Sequence, residues 1–256
     1  MQMLVQGWIR GSVRLEGDDI VLTPKGSDYL LPGQELPIQL AGVRSPGEAV
    51  AVAQRFGLLR KGWKETTQTT GDLREPYDDW RQVALDLNHI MGLVIDLRLA
   101  MSGNTNGVER LREARSKVIQ NDPADDDDRV QQWATITIAA LMTQGIGDVE
   151  YRLEVIHRRD PSRPVELGTW MRTLAPATML SAAYGELAEY IDSTQARELR
   201  HCADCDRIFL VGDPRQRYCN TTCANRAAYH RRAHRRRSRL RNEPALDTDS
   251  DLLYAR

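Results

Sequence analysis

Four cysteines fall within 22 residues, as Cys202-x2-Cys205-x13-Cys219-x3-Cys223, and the rest of the 256-residue chain has none. Two close cysteine pairs separated by a short loop have the spacing of a closed structural zinc site. Each pair supplies two neighbouring corners of a tetrahedron. Four thiolates leave no open position for a water or substrate, so the expected ion is structural rather than catalytic. Cysteines in a reducing compartment are more often metal ligands than disulfide partners.

The residues between the pairs give the site a context. Arg207 to Val211 is strand-like, Gly212-Asp213-Pro214 is turn-like, and Arg217-Tyr218 reads as a short return strand. Asn220-Thr221-Thr222 offers capping residues, and the chain from Ala224 to Arg241 is free of Gly and Pro. The predicted order is knuckle, hairpin, helix, with Cys219 before the helix and Cys223 in its first turn. That is the order of a treble-clef-like finger ending in a long basic helix. A helix N-terminus also favours thiolates.

The helix is extreme in charge. Residues 226–241 carry Arg226, Arg231, Arg232, Arg235, Arg236, Arg237, Arg239 and Arg241, with no acid. Like charges four apart destabilise a helix, and a polyanion relieves that cost. Arginine also matches phosphate bidentately and reads guanine edges. Arg215 and Arg217 extend the same patch. The net charge of −1 conceals this: residues 197–241 carry a net of +9, residues 1–196 a net of −7 and residues 242–256 a net of −3. Whole-chain neutrality therefore excludes nothing about partners.

The rest of the chain reads as an α+β body: a short β meander followed by a mostly helical middle. Residues 1–75 are expected to be β-rich, with short apolar runs over 3–40 broken at Gly11, at residues 16–19 and at residues 24–26. Within this part Ser45-Pro46-Gly47-Glu48 starts a helix predicted to reach Leu59, and residues 61–75 form a loop. Residues 76–196 are expected to be mainly helical. A long helix spans Tyr77 to Met101, ended by Ser102-Gly103-Asn104, and another starts at Asn106 and runs to Gln120. The run Asp125 to Asp128 reads as a charged first turn. Residues 130–157 remain ambiguous, because Trp133 to Met142 suits a helix while Thr135 to Ile138 alternates like a strand. Tyr151, Leu153 and Val155 favour a strand, residues 160–164 a loop, and a last helix is predicted over 177–199. No run of about 18 apolar residues exists, and the start MQMLVQGWIRG has no apolar leader segment, so a cytoplasmic chain without a membrane span is expected.

Residues 200–239 resemble the CGNR zinc-finger family of bacterial proteins. The resemblance rests on Cys202-x2-Cys205, Phe209, Arg217-Tyr218-Cys219-Asn220, and Cys223-Ala224-Asn225-Arg226 followed by the basic helix. Ala224 stands where the family's namesake tetrapeptide has Gly, which alters no ligand. In that family the finger follows an N-terminal domain termed ABATE, described as a putative stress-induced transcription regulator. The resemblance implies that residues 197–241 are the finger, that the preceding body is ABATE-like, and that the protein is a DNA-binding regulator. It carries Asn225 and Arg226 over as motif positions.

The functional expectation is a zinc-dependent nucleic-acid-binding protein with one structural zinc ion, acting on DNA as a transcriptional regulator and not as an enzyme. Arg232, Arg235, Arg236 and Arg239 are expected to reach bases, Arg231 and Arg237 phosphates. Asn225 either pairs with adenine or caps the backbone. The alternatives are RNA binding, a ligand-sensing role for the acidic body, a nuclear-import-like use of the arginine run, and a nuclease built from Asp204, Asp206, Asp213, His230 and His234. The acidic tail at 242–256 is a candidate competitor for the arginine helix. The two histidines four apart, His230 and His234, sit in a field that repels a second cation.

Overall fold

The computed structural model describes residues 5–30, 35–60, 71–119, 126–146, 149–156, 169–176, 178–192 and 198–242. The loop expected at 160–164 and the acidic tail lie outside them. The protein is mixed α and β, with a small N-terminal sheet, a helical middle and the cysteines near the C-terminus.

Strands β1 (Val5–Glu16) and β2 (Asp19–Leu30) form an antiparallel hairpin, turned at Gly17 with φ 61°. The two breaks expected inside this hairpin are absent. Both strands run through them, because Gly11 and Pro24 face each other where the register shifts. A Cβ at Gly11 would lie 2.1 Å from the Thr23 carbonyl oxygen. Glycine here permits close strand approach, and proline is tolerated at a bulge. Helix α1 (Glu35–Ala41) follows, within the stretch expected to be β-rich; it buries Leu36, Pro37 and Leu40.

Helix α2 (Pro46–Phe56) begins as predicted. The Ser45 hydroxyl accepts from the Glu48 amide at 3.3 Å, and the Glu48 carboxylate accepts from the Arg44 amide at 2.8 Å. It stops three residues before Leu59, at Gly57 with φ 84°. The predicted loop at 61–75 is corrected at its end: β3 (Leu73–Pro76) pairs with β2 on the side opposite β1. The buried Glu75 carboxylate accepts the amides of Leu59 and Arg60, each at 2.7 Å, tying the end of the α2 segment to the sheet.

Helix α3 (Tyr77–Met101) has the predicted limits and forms the spine of the core. Trp80, Val83, Leu87, Ile90, Met91 and Val94 are buried on one broad face, and Leu93 and Ile95 on others, whereas Leu85 is exposed. Helix α4 (Thr105–Val118) is capped by Asn104, whose side chain accepts from the Asn106 amide at 3.0 Å, so the helix starts before the predicted Asn106. Gly103 makes the α3–α4 turn with φ 80°. A Cβ at Gly107 would fall 2.6 Å from the Ala100 backbone nitrogen and 2.7 Å from the Asp96 carbonyl oxygen. Gly107→Ala is therefore expected to destabilise the fold by about 1–3 kcal/mol, as overpacking does. The urea midpoint should fall with an unchanged slope; an unshifted midpoint would refute this close packing.

Helix α5 (Asp127–Ile146) resolves the ambiguous stretch, with Asp127 and Asp128 in its first turn. Thr135 is accommodated in this helix with its hydroxyl donating to the Gln131 carbonyl at 2.9 Å, four residues back. Strands β4 (Val149–Ile156) and β5 (Thr169–Pro176) pair antiparallel; β5 carried no signal in the sequence reading. Helix α6 (Met179–Asp192) ends well before the predicted Leu199, which belongs instead to strand β6 (Leu199–His201). Strand β7 (Ile208–Leu210) pairs with β6, and α7 (Thr221–Asn242) ends the described chain. No helix among the described residues is long and apolar enough to cross a membrane.

Candidate metal centre and basic helix

The local fold around the cysteines begins with the β6–β7 hairpin. Leu199↔Leu210, Arg200↔Phe209 and His201↔Ile208 are in register, so the Cys202–Cys205 knuckle is the hairpin's own turn. The Cys202 amide donates to the Arg207 carbonyl at 2.8 Å and the Asp206 amide to the Cys202 carbonyl at 3.0 Å. Asp206 takes φ 59°, a left-handed conformation that aspartate tolerates better than most residues. The predicted return strand at Arg217-Tyr218 is corrected: the strand partner of 208–210 lies upstream at 199–201. Arg217 does receive one backbone bond, from the Ala203 amide at 3.0 Å, which lays the loop across the knuckle.

That loop is held by short polar contacts. Asp213 accepts from the Arg215 amide at 2.7 Å, and the Gln216 side chain accepts from the Gly212 amide at 2.9 Å. Asn220 then caps α7: its side-chain oxygen accepts from the Cys223 amide at 2.9 Å. Cys219 precedes the helix and Cys223 sits in its first turn, as the sequence indicates.

The four Sγ atoms lie within 4.8 Å of one another, and among the described residues they are the one such group able to hold a metal ion. Cys205 and Cys219 are 3.7 Å apart at sulfur, Cys219 and Cys223 3.6 Å. Tetrahedral arms of about 2.3 Å place sulfurs roughly 3.8 Å apart, so the spacing fits a zinc-sized ion. The electrostatics fit as well. Burial pushes the Cys202 thiol up, but the backbone N–H groups of Cys219, Asp204 and Cys205 outweigh it and bring it down to about 6. Burial and the crowding of neighbouring sulfurs push Cys219 up to about 11, and push Cys223 up too. One thiolate forms readily and the next ones repel it; a divalent cation removes that repulsion. Phe209 and Val211 pack on Cys202 and Cys223 and shield the cluster.

The finger is docked on the body. Leu199 and Ile208 belong to the main core, and the Arg207 guanidinium donates to Glu48 at 2.6 Å. Burial alone would raise the Glu48 carboxyl, but Arg207 and the Arg44 amide hold it below the usual carboxylate range. This bridge was not foreseen; Glu48 already had a capping role.

The arginines divide into engaged and exposed. Arg226 donates through Nε to Asp204 at 2.7 Å, so this motif position braces the knuckle against α7. Arg231 donates to the Tyr218 hydroxyl at 2.7 Å. Arg215, Arg217 and Arg232 are exposed and have no side-chain partner among the described residues. Positions 235, 236 and 239 lie on the α7 backbone, with side chains outside the described set. Helical spacing aligns positions 225, 229, 232, 236 and 239 in one stripe. Tyr229, 70% exposed on that stripe, was missed by sequence reasoning; an aromatic residue inside a basic run was its signal. The acids considered for a nuclease are dispersed: Asp204 holds Arg226, Asp206 lies 3.3 Å from His201 Nδ1, and Asp213 holds the loop.

Compared with family profiles, curated proteins and solved structures, the chain matches none.

Proposed function

We propose that the chain is a zinc-dependent nucleic-acid-binding protein of the kind implied by its resemblance to the CGNR zinc-finger family: a cytoplasmic, DNA-binding transcriptional regulator with a treble-clef-like finger. The observation that carries this reading is the joining of two features. A four-sulfur cluster with zinc-like spacing fixes the first turn of a 22-residue helix. That helix carries eight arginines in its residues 226–241 and no acid there.

Zinc would hold Cys219 and Cys223 around the helix start and so fix where the basic helix begins. Arg215, Arg217 and Arg232 are uncommitted guanidiniums suited to phosphate, and the Asn225–Tyr229–Arg232 stripe is suited to a groove. Arg226 serves the finger itself through Asp204.

The test is the salt dependence of binding to a fluorescein-labelled duplex, read by anisotropy on the zinc-loaded chain. Neutralising about six phosphates gives a log–log slope on the order of −5. A slope near zero would sink the reading. A single-stranded RNA that displaces the duplex at lower concentration than unlabelled duplex does would assign the finger to RNA.

A further inference from the structure

A cleft of about 420 Å³ opens where the C-terminal half of α3 meets strand β6. Val94, Ile95, Leu99 and Leu199 form the apolar part of its lining. Arg98, Arg110 and Arg200 line it as well, with Ser102, Glu198 and His201. None of these residues belongs to the metal centre or to the basic helix.

The three guanidiniums are not equivalent. Arg98 donates to the Tyr190 hydroxyl at 3.1 Å and to the carbonyls of Tyr190 and Ile191, and stacks on the Tyr190 ring. Arg200 is doubly bonded to Glu198, at 2.7 Å each, and donates to the Pro214 and Gln216 carbonyls. Among the described residues Arg110 makes one contact, to Asp96 at 3.5 Å, longer than the roughly 2.8 Å of a charge-assisted bond. Its guanidinium therefore has donors to spare. Basic side chains outnumber the one lining carboxylate, Glu198, which is engaged by Arg200.

We propose that this cleft binds a small organic monoacid with an apolar body, its carboxylate on Arg110 and its hydrocarbon against Leu99 and Leu199. The volume lies in the range of small-molecule sites. A carboxylate complements the spare donors of Arg110, and the apolar lining selects an organic acid over inorganic phosphate.

Occupancy has a route to the finger. Arg200 borders the cleft and its Nη1 holds the Pro214 carbonyl at 2.7 Å. Residues 214–216 carry or adjoin Arg215 and Arg217, the guanidiniums that the proposed function gives to phosphate. An acid whose hydrocarbon packs on Leu199 lies beside Arg200 and so alters the bracing of that loop. The consequence for nucleic acid rests on the proposed function; the binding of the acid does not.

The test uses the full zinc-loaded chain, without nucleic acid, and 1-naphthoate as probe. Isothermal titration should show saturable one-to-one binding, with neutral 1-naphthalenemethanol at least tenfold weaker. Arg110→Gln and Leu99→Trp should each weaken naphthoate at least tenfold while zinc content and thermal midpoint stay near wild type. Should one variant fail to fold, the other decides. Amide exchange over residues 212–217 should change at least threefold on saturation. Absence of saturable binding, equal affinity for the alcohol, wild-type affinity in a folded variant, or unchanged exchange at 212–217 would each overturn the proposal.

Discussion

Cys219→Ser is expected to leave the purified chain without bound zinc, against one ion per wild-type chain. The effect should be near complete because Cys219 is central to the cluster: its sulfur lies 3.7 Å from that of Cys205 and 3.6 Å from that of Cys223, and its amide donates to Cys202 Sγ at 3.4 Å. A hydroxyl has neither the reach nor the softness of a thiolate. Structural zinc contributes on the order of 10–16 kcal/mol in isolated fingers, so three remaining ligands do not hold residues 202–223 in place. Amide exchange should lose protection across residues 202–223. The buried Phe209 and Val211 would become accessible, since their packing partners are the cysteines themselves. Protection within α3 should survive, because its core is built from other residues. Zinc retained at full stoichiometry in the serine variant would contradict the four-thiolate site.

The second large effect concerns the uncommitted guanidiniums. The triple variant Arg215→Ala, Arg217→Ala, Arg232→Ala is expected to keep its zinc and its fold, since these side chains are exposed and without partners among the described residues. Each lost phosphate contact lowers the salt slope by about 1, so the slope should shrink by about 3 and the affinity fall on the order of a hundredfold at moderate salt. Arg226→Ala should behave differently. It removes the brace to Asp204 and so weakens the finger before it weakens any phosphate contact. A triple variant with wild-type slope would remove the loop and Arg232 from the interface.

The parts legible in the sequence were those governed by local rules. The Ser45 cap, the span of α3 and the cap at Asn220 follow from hydrogen bonding and periodicity within one turn or one face. The cysteine spacing likewise specified the cluster, because the ligands come in short local pairs. What escaped was decided by distant partners. Strand β3 is only Leu-Arg-Glu-Pro, and its buried Glu75 makes sense once the amides of Leu59 and Arg60 are placed beside it. Strand β6 holds Arg200 and His201, a polar pair with no strand signature; pairing with Ile208–Leu210 and burial of Leu199 in the body create it. The same missing strand shifted the hairpin downstream in the sequence reading, to Arg217-Tyr218. Gly11 and Pro24 read as breaks because each ends a strand alone; opposite each other they make a bulge. The roles of Arg226 and Arg207 were hidden because Asp204 and Glu48 are partners from other segments.

The most direct measurement compares one preparation of the chain in two states, zinc-loaded and stripped by chelation, on the same labelled duplex at fixed salt, with α3 exchange protection as the control for an intact body. The expected result is at least a hundredfold loss of affinity in the stripped state, reversed by one equivalent of zinc, with α3 protection unchanged. Equal affinity in the two states would contradict a metal-organised nucleic-acid-binding finger.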